Sequence, residues 1–176
     1  MLFAGLGMLI VSCNNGDYNA DPARNTDILN PLNPETGVTV PLGRVQAALN
    51  GSMRIFDGAA GWTDSVASTA TFSGTKFDNA HTAEYLGATL LPYGSTGNYN
   101  LSDSLSNVVF YGVMDTNDHV TYSLYQGKAS GVVNLKGNES NRLRGTFSAT
   151  LHKVLPVEDW GDVIEITNGE FYVKKY

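Results

Sequence analysis

Between Arg142 and His152 apolar and polar side chains alternate without a break, and this run narrows the fold more than any other in the chain. Leu143, Gly145, Phe147, Ala149 and Leu151 fall on one parity, with Arg144, Thr146, Ser148, Thr150 and His152 on the other. Successive side chains of a strand point to opposite faces, so the pattern predicts one face in the core and one in water. From Val40 onward the chain repeats the theme in short apolar segments punctuated by Gly, Asn, Asp and Ser, as an all-β domain requires. The expected architecture is a single antiparallel β-sandwich or partly closed β-barrel of about eight to ten strands.

The remaining strands are read the same way. Arg44 to Phe56 admits a helix, since Val45, Ala48, Leu49, Ser52, Met53 and Phe56 would share a helical face. Asn50-Gly51 favours two short strands around a turn instead, because a glycine inside a helix costs about 1 kcal/mol. Val66 to Phe72 predicts a strand ended by Gly74, Ala83 to Leu91 a strand stopped by Pro92, and Asn107 to Met114 a strand apolar on both parities and so covered on both faces. Asp115 to Asp118 reads as a hairpin loop before Val120 to Tyr125, and Ser130 to Lys136 as a strand before a turn at Gly137 to Asn141. Near the C-terminus Ile164 and Ile166 have one parity while Phe171 and Val173 have the other. A two-residue turn at Asn168-Gly169 would restore a single face, and so would a one-residue bulge in one long strand; the turn is slightly preferred.

Charge limits the partners. The 176 residues hold 17 acidic against 11 basic side chains, a formal charge of -6, with no basic run, which disfavours nucleic acid and anionic membranes as targets of a basic surface. A β domain of about 135 residues buries roughly two-thirds of its unfolded surface and needs neither disulfide nor metal to fold.

The lone cysteine, Cys13, closes an apolar run from Leu2 to Val11. That run is too short for a bilayer crossing of about twenty residues and fits a signal-peptide core. Ile10-Val11-Ser12-Cys13 resembles a bacterial lipoprotein signal, which implies cleavage before Cys13, diacylation of its thiol and acylation of its freed amine. The Lys or Arg that usually precedes such a run is missing after Met1, so the true start is expected a few codons upstream. Residues 1–12 are thus the signal peptide, and residues 13–40, broken by Pro22, Pro31 and Pro34, form the lipidated cysteine and a disordered tether. Its polar part would span on the order of 30 Å as a random coil. Asp17 close behind the cysteine resembles a surface-export signal of Bacteroidota, which leans the expected location, a bacterial outer membrane, toward the cell surface. An integral outer-membrane barrel ending in Phe171 to Tyr176 is the rival architecture; the lipobox makes a second anchor redundant, and Lys174-Lys175 is expected to break its last strand.

Arg144-Gly145-Thr146-Phe147-Ser148-Ala149-Thr150 and Ile166-Thr167-Asn168-Gly169-Glu170-Phe171 resemble the last strands of an uncharacterised family of Bacteroidota lipoproteins, a domain of unknown function. Val45-Gln46-Ala47-Ala48-Leu49-Asn50-Gly51 is similar to that family's first strand and turn. Over about Arg44 to Tyr176 the resemblance implies an antiparallel β domain on a lipid anchor, and it brings no activity and no catalytic residue. The chain departs from the family in a longer Asp57 to Ser65 connection and a Pro156 to Asp162 insertion.

Signatures of chemistry are sparse. His81, His119 and His152 lie on separate segments without zinc-ligand spacing, and no nucleophile elbow or cofactor motif occurs. Glu158, Asp159 and Asp162 beside Trp160 form the densest acidic and aromatic cluster; paired carboxylates could serve glycoside cleavage, against the plainer reading of a solvated loop whose Trp caps the fold. Asp115 to Asp118 lacks the length of a calcium loop. Ser65 and Ser104 stand in Asp-Ser-apolar tripeptides that match an O-glycosylation pattern of Bacteroidota exports. Together these features predict a non-enzymatic binding module, anchored to the membrane by lipid on Cys13, whose ligand is a glycan, a peptide or an envelope protein. The alternatives are a carbohydrate-active enzyme using Glu158, Asp159 and Asp162, and a lipocalin-like carrier.

Overall fold

The computed structural model describes residues 37–78, 82–101, 107–115, 121–127, 130–155 and 159–176. They form ten strands, β1 (Arg44–Leu49), β2 (Ser52–Asp64), β3 (Thr69–Phe77), β4 (Thr82–Leu90), β5 (Gly97–Asn100), β6 (Val108–Asp115), β7 (Thr121–Gly127), β8 (Gly131–Glu139), β9 (Arg142–Leu155) and β10 (Asp159–Lys175). All belong to one curled sheet, antiparallel except where Lys174 and Lys175 run parallel to Ala60 and Gly61. Pairings lead from β1 through β2, β3, β4, β6, β7, β9 and β10 back to β1. The result is the partly closed barrel expected from the alternation. Along one edge β9 pairs first with β8 and then, near its C-terminal end, with β7, so β8 and the short β5 splay away from the ring.

Strand β9 obeys its parity throughout. Leu143, Gly145, Phe147, Ala149 and Leu151 are buried, and the five alternate residues are half-buried. The apolar faces of the ring meet inside, where the Phe72 and Phe171 rings stack at 3.7 Å between centroids and Phe147 leans on both. The middle of the interior is apolar and packed, where a transmembrane barrel has a polar lumen. Among the described residues the core runs from Val38 to Val173.

The first segment makes the β1–β2 hairpin, with Asn50 at φ 47° and Gly51 at φ 80°, the left-handed pair that a tight two-residue turn demands. The preferred C-terminal hairpin is corrected: β10 is one strand, paired with β9 from Val163 opposite His152 to Val173 opposite Leu143. Against both β1 and β9 it gains one residue between Ile166 and Gly169, and Asn168 there has φ 52°. That bulge produces the parity switch, because a single extra residue turns the following side chains over.

Other boundaries also move. The Asp57 to Ser65 connection is strand through Asp64, with the extra residue of a bulge absorbed around Gly58, and β3 begins only at Thr69 and runs past Gly74. Strand β8 continues through Gly137, and β10 includes Lys174 and Lys175 because backbone pairing with β2 extends it. The Pro156 to Asp162 insertion shrinks, since β10 already starts at Asp159. Finally, Gly37 to Val40 is a strap across the outside of β10 rather than tether. Val38 and Val40 are buried against Tyr172, Thr39 donates through its N–H and hydroxyl to Glu170 at 3.1 and 2.6 Å, and Lys136 Nζ donates to the Gly37 carbonyl at 2.7 Å. The expected boundary at residue 41 therefore falls inside a packed segment.

Candidate functional site

The barrel has two distinct ends. The hairpin end gathers the Asn50-Gly51 turn, the end of β3, the start of β4 and the end of β6. The strap end gathers the start of β1, the β2–β3 turn, the β8–β9 turn and the end of β10.

Inside the hairpin end lies a charged cluster with no motif to announce it. Glu84 shares the inward face of β4 with Leu86, Ala88 and Leu90 and is only 4% exposed. Burying an ion is costly unless it is paired and hydrogen-bonded, and Glu84 is both. Its Oε1 accepts from Arg54 Nη1 at 2.8 Å and Lys76 Nζ at 3.3 Å, and its Oε2 accepts from Tyr111 OH at 2.7 Å. Lys76 also donates to Asp78. The hydrogen bond from Lys76 holds the Asp78 carboxyl below its ordinary value, and the bond to Asp78 raises the Lys76 ammonium. One buried carboxylate held by two cations and a phenol fixes its neighbours in place, an arrangement that suits holding and recognition. Among the described residues only Nη1 of Arg54 is engaged, and its side chain is 40% exposed, so the fork of donors opens toward the mouth.

On the outside of the same end Met53, Ile55 and Phe77 are exposed, Phe77 at 75%. They occupy the outward parity of β2 and β3, whose inward positions there are Arg54 and Lys76. The mouth is thus ionic within and apolar without.

The residues singled out in the sequence are dispersed. Asp159 and Asp162 lie at the start of β10. Asp159 is exposed and accepts from the Gly161 N–H at 2.9 Å, while Asp162 forms an ion pair with Lys153 at 3.2 Å. Trp160 belongs to the same strand, and Glu158 lies outside the described residues. Ser65 is exposed in the β2–β3 turn, and His152 is half-buried on the outer face of β9. Cys13, Ser104, His81, His119 and most of the Asp115 to Asp118 loop also lie outside the described residues. Among the described residues no group of three His, Cys, Asp or Glu is placed to hold a metal, and no helix is long and apolar enough to cross a membrane. A shallow open depression of about 270 Å3 sits on the outer face of β8, β9 and β10 beside the strap, lined by Val132, Thr146, Ser148, Asn168 and Glu170. The middle of the interior, which a carried ligand would need, is filled by the Phe72, Phe147 and Phe171 rings.

What the sequence concealed was Glu84. It stands in Thr82-Ala83-Glu84-Tyr85-Leu86, and the one available signal was its parity, which it shares with Leu86, Ala88 and Leu90. No family model matches the chain, and no curated protein and no solved structure is significantly similar to it.

Proposed function

We propose that the chain is a lipid-anchored lipoprotein of a bacterial outer membrane whose β domain is a non-enzymatic binding module. The observation that carries the binding reading is the hairpin end, where exposed Met53, Ile55 and Phe77 flank a mouth presenting Arg54. Clustered apolar exposure beside a fixed cation marks an interaction surface, since a soluble surface otherwise scatters such side chains singly. The cation suits a partner that brings a carboxylate or another anionic group, as a peptide, an acidic glycan or an envelope protein can. The Lys153 ion pair on Asp162 and the backbone hydrogen bond on Asp159 favour this reading over the carbohydrate-active one. The packed phenylalanine interior favours it over the carrier.

The anchor rests on Ile10-Val11-Ser12-Cys13 and on the resemblance to Bacteroidota lipoproteins. Membrane fractionation after a high-salt wash tests it: Cys13→Ser should release the protein, and its retention would end the anchored reading. Binding is tested by panning the domain against glycans, peptides and envelope proteins. Capture should be lost in Ile55→Ser/Phe77→Ser, and hydrolysis of any of these ligands would overturn the non-enzymatic claim.

A further inference from the structure

The strap end carries a surface of different chemistry. Trp62, Val66 and Tyr176 are exposed there, Val66 at 95% and Tyr176 at 69%. The Tyr176 N–H donates to the Gly61 carbonyl at 2.9 Å, which places Trp62 and Tyr176 on adjoining segments. Lys174 and Lys175 lie alongside Ala60 and Gly61, and Arg142 pairs with Lys174 across β9 and β10. Arg44, Lys136 and Arg144 stand nearby, so six of the chain's eleven cations share one end. Among the described side chains the acids against them are Asp57, Asp64, Glu139 and Glu170, an excess of two cationic side chains (6 - 4) on a chain whose total is -6. Arg44 pairs with Asp57 and Arg144 with Glu139, whereas Lys174 is exposed beside the Tyr176 ring. These cations are distant in sequence and adjacent in the sheet, so they form a cluster without forming a basic run.

We propose that this end rests on an anionic phospholipid surface, with Lys174, Lys175 and Arg142 at the phosphates and Trp62, Tyr176 and Val66 at the headgroup boundary. Tryptophan and tyrosine with lysine and arginine are the side chains that settle at a membrane–water interface, and each cation near an anionic leaflet contributes attraction that salt screens. The chain path agrees, because β1 begins at this end and the segment before it leads back to Cys13, 24 positions ahead of Gly37. The proposal deepens the lipid-anchored reading and rests on it for which membrane lies near. It leaves the hairpin end facing outward.

The test uses the chain from Gly37 to Tyr176, which keeps the core of the described residues and omits the apolar run, the lipidation site and the acids before Gly37. In vesicle co-sedimentation at low ionic strength it should bind phosphatidylcholine vesicles containing phosphatidylglycerol, more strongly than phosphatidylcholine alone, and release with added salt. Lys174→Gln/Lys175→Gln should weaken that binding about thirty-fold, from roughly 1 kcal/mol per cation. Lys175 donates to Asn138, so Lys174→Gln/Trp62→Ser, which alters only exposed side chains, serves as a second variant and should bind more weakly too. Ile55→Ser/Phe77→Ser should bind as the parent does. No sedimentation with the anionic vesicles, equal binding to neutral ones, or unchanged binding in both lysine variants would overturn the proposal. Because this chain carries no lipid, such a failure is separable from a failure of Cys13 anchoring, which salt-washed fractionation reads.

Discussion

At the hairpin end the cations Arg54 and Lys76 point into the barrel and meet Glu84 and Asp78, while the apolar Met53, Ile55 and Phe77 point out. At the strap end Lys136, Arg142, Arg144 and Lys174 take the outward parity of their strands, and Trp62 and Tyr176 are exposed among them. The ingredients are the same, and parity alone separates the two uses. A charge on the inward face has lost its water and must be matched where it stands, so its worth is structural and local. A charge on the outward face keeps its water and adds to a field felt by whatever approaches. The two ends should therefore respond differently to substitution, pH and salt.

The largest effect should come from the middle, which both ends share. Phe171 stacks on Phe72 and is fully buried, so Phe171→Ala should cost about 3–5 kcal/mol in denaturant unfolding. If the barrel is one cooperative unit, fluorescence and circular dichroism should give the same midpoint. Separate midpoints would mean that the two ends melt independently and that the comparison is between two subdomains.

Next in size is Glu84→Gln. Removing the charge leaves the Arg54 guanidinium without its counter-ion and should cost about 1–3 kcal/mol, whereas Lys174→Gln at the other end should stay within about 0.5 kcal/mol. Equal losses at the two positions would show that the inward cluster is solvated like the outward one.

How much of this contrast was legible depends on the element. The alternation of β9 and the Asn50-Gly51 turn were plain because a strand's period and a left-handed dipeptide are local properties. The parity switch in β10 was visible, but a turn and a bulge move parity alike. The neighbours decided it, since β1 and β9 both pair across Thr167-Asn168. The two segments that carried the family resemblance also acquire a physical reason. Gly145 faces Phe171 and Gly169 faces Phe147 across β9 and β10, and a Cβ on Gly145 or Gly169 would sit 2.8 Å from the opposing ring. Each glycine makes room for the other strand's phenylalanine, so these glycines and phenylalanines have a packing role. Glu84 and the cations of the strap end stayed hidden for the opposite reason. Their partners are 30, 8 and 27 positions away for Glu84, and the cations of β1, β8, β9 and β10 meet only after the ring closes.

The pH response is smaller and has a definite sign. The Asp78 carboxyl is held below its ordinary value in the fold, so its contribution is present above the unfolded value and fades as pH falls below about 4. The Lys76 ammonium is raised, so its contribution is present below its unfolded value and is lost only as pH climbs past about 10.5. The unfolding midpoint of the parent should therefore fall at both extremes. Asp78→Asn should flatten the acid limb and leave the strap end's lipid binding unchanged. An acid limb of the same depth in Asp78→Asn would mean that this pair is not what titrates.

The smallest effect is expected where the functional claim is strongest. Met53, Ile55 and Phe77 bury little, so each change to Ser should shift stability by no more than about 0.5 kcal/mol in denaturant unfolding. A near-neutral result means that the fold has no need of apolar side chains there, and their exposure then calls for a partner, since water alone disfavours them. A loss above about 1.5 kcal/mol at Phe77 would instead place its ring in a packed environment, alongside Ala83 which it faces across β4. In that case the hairpin end would be a structural cap, and the binding surface of the domain would have to be sought at the strap end alone.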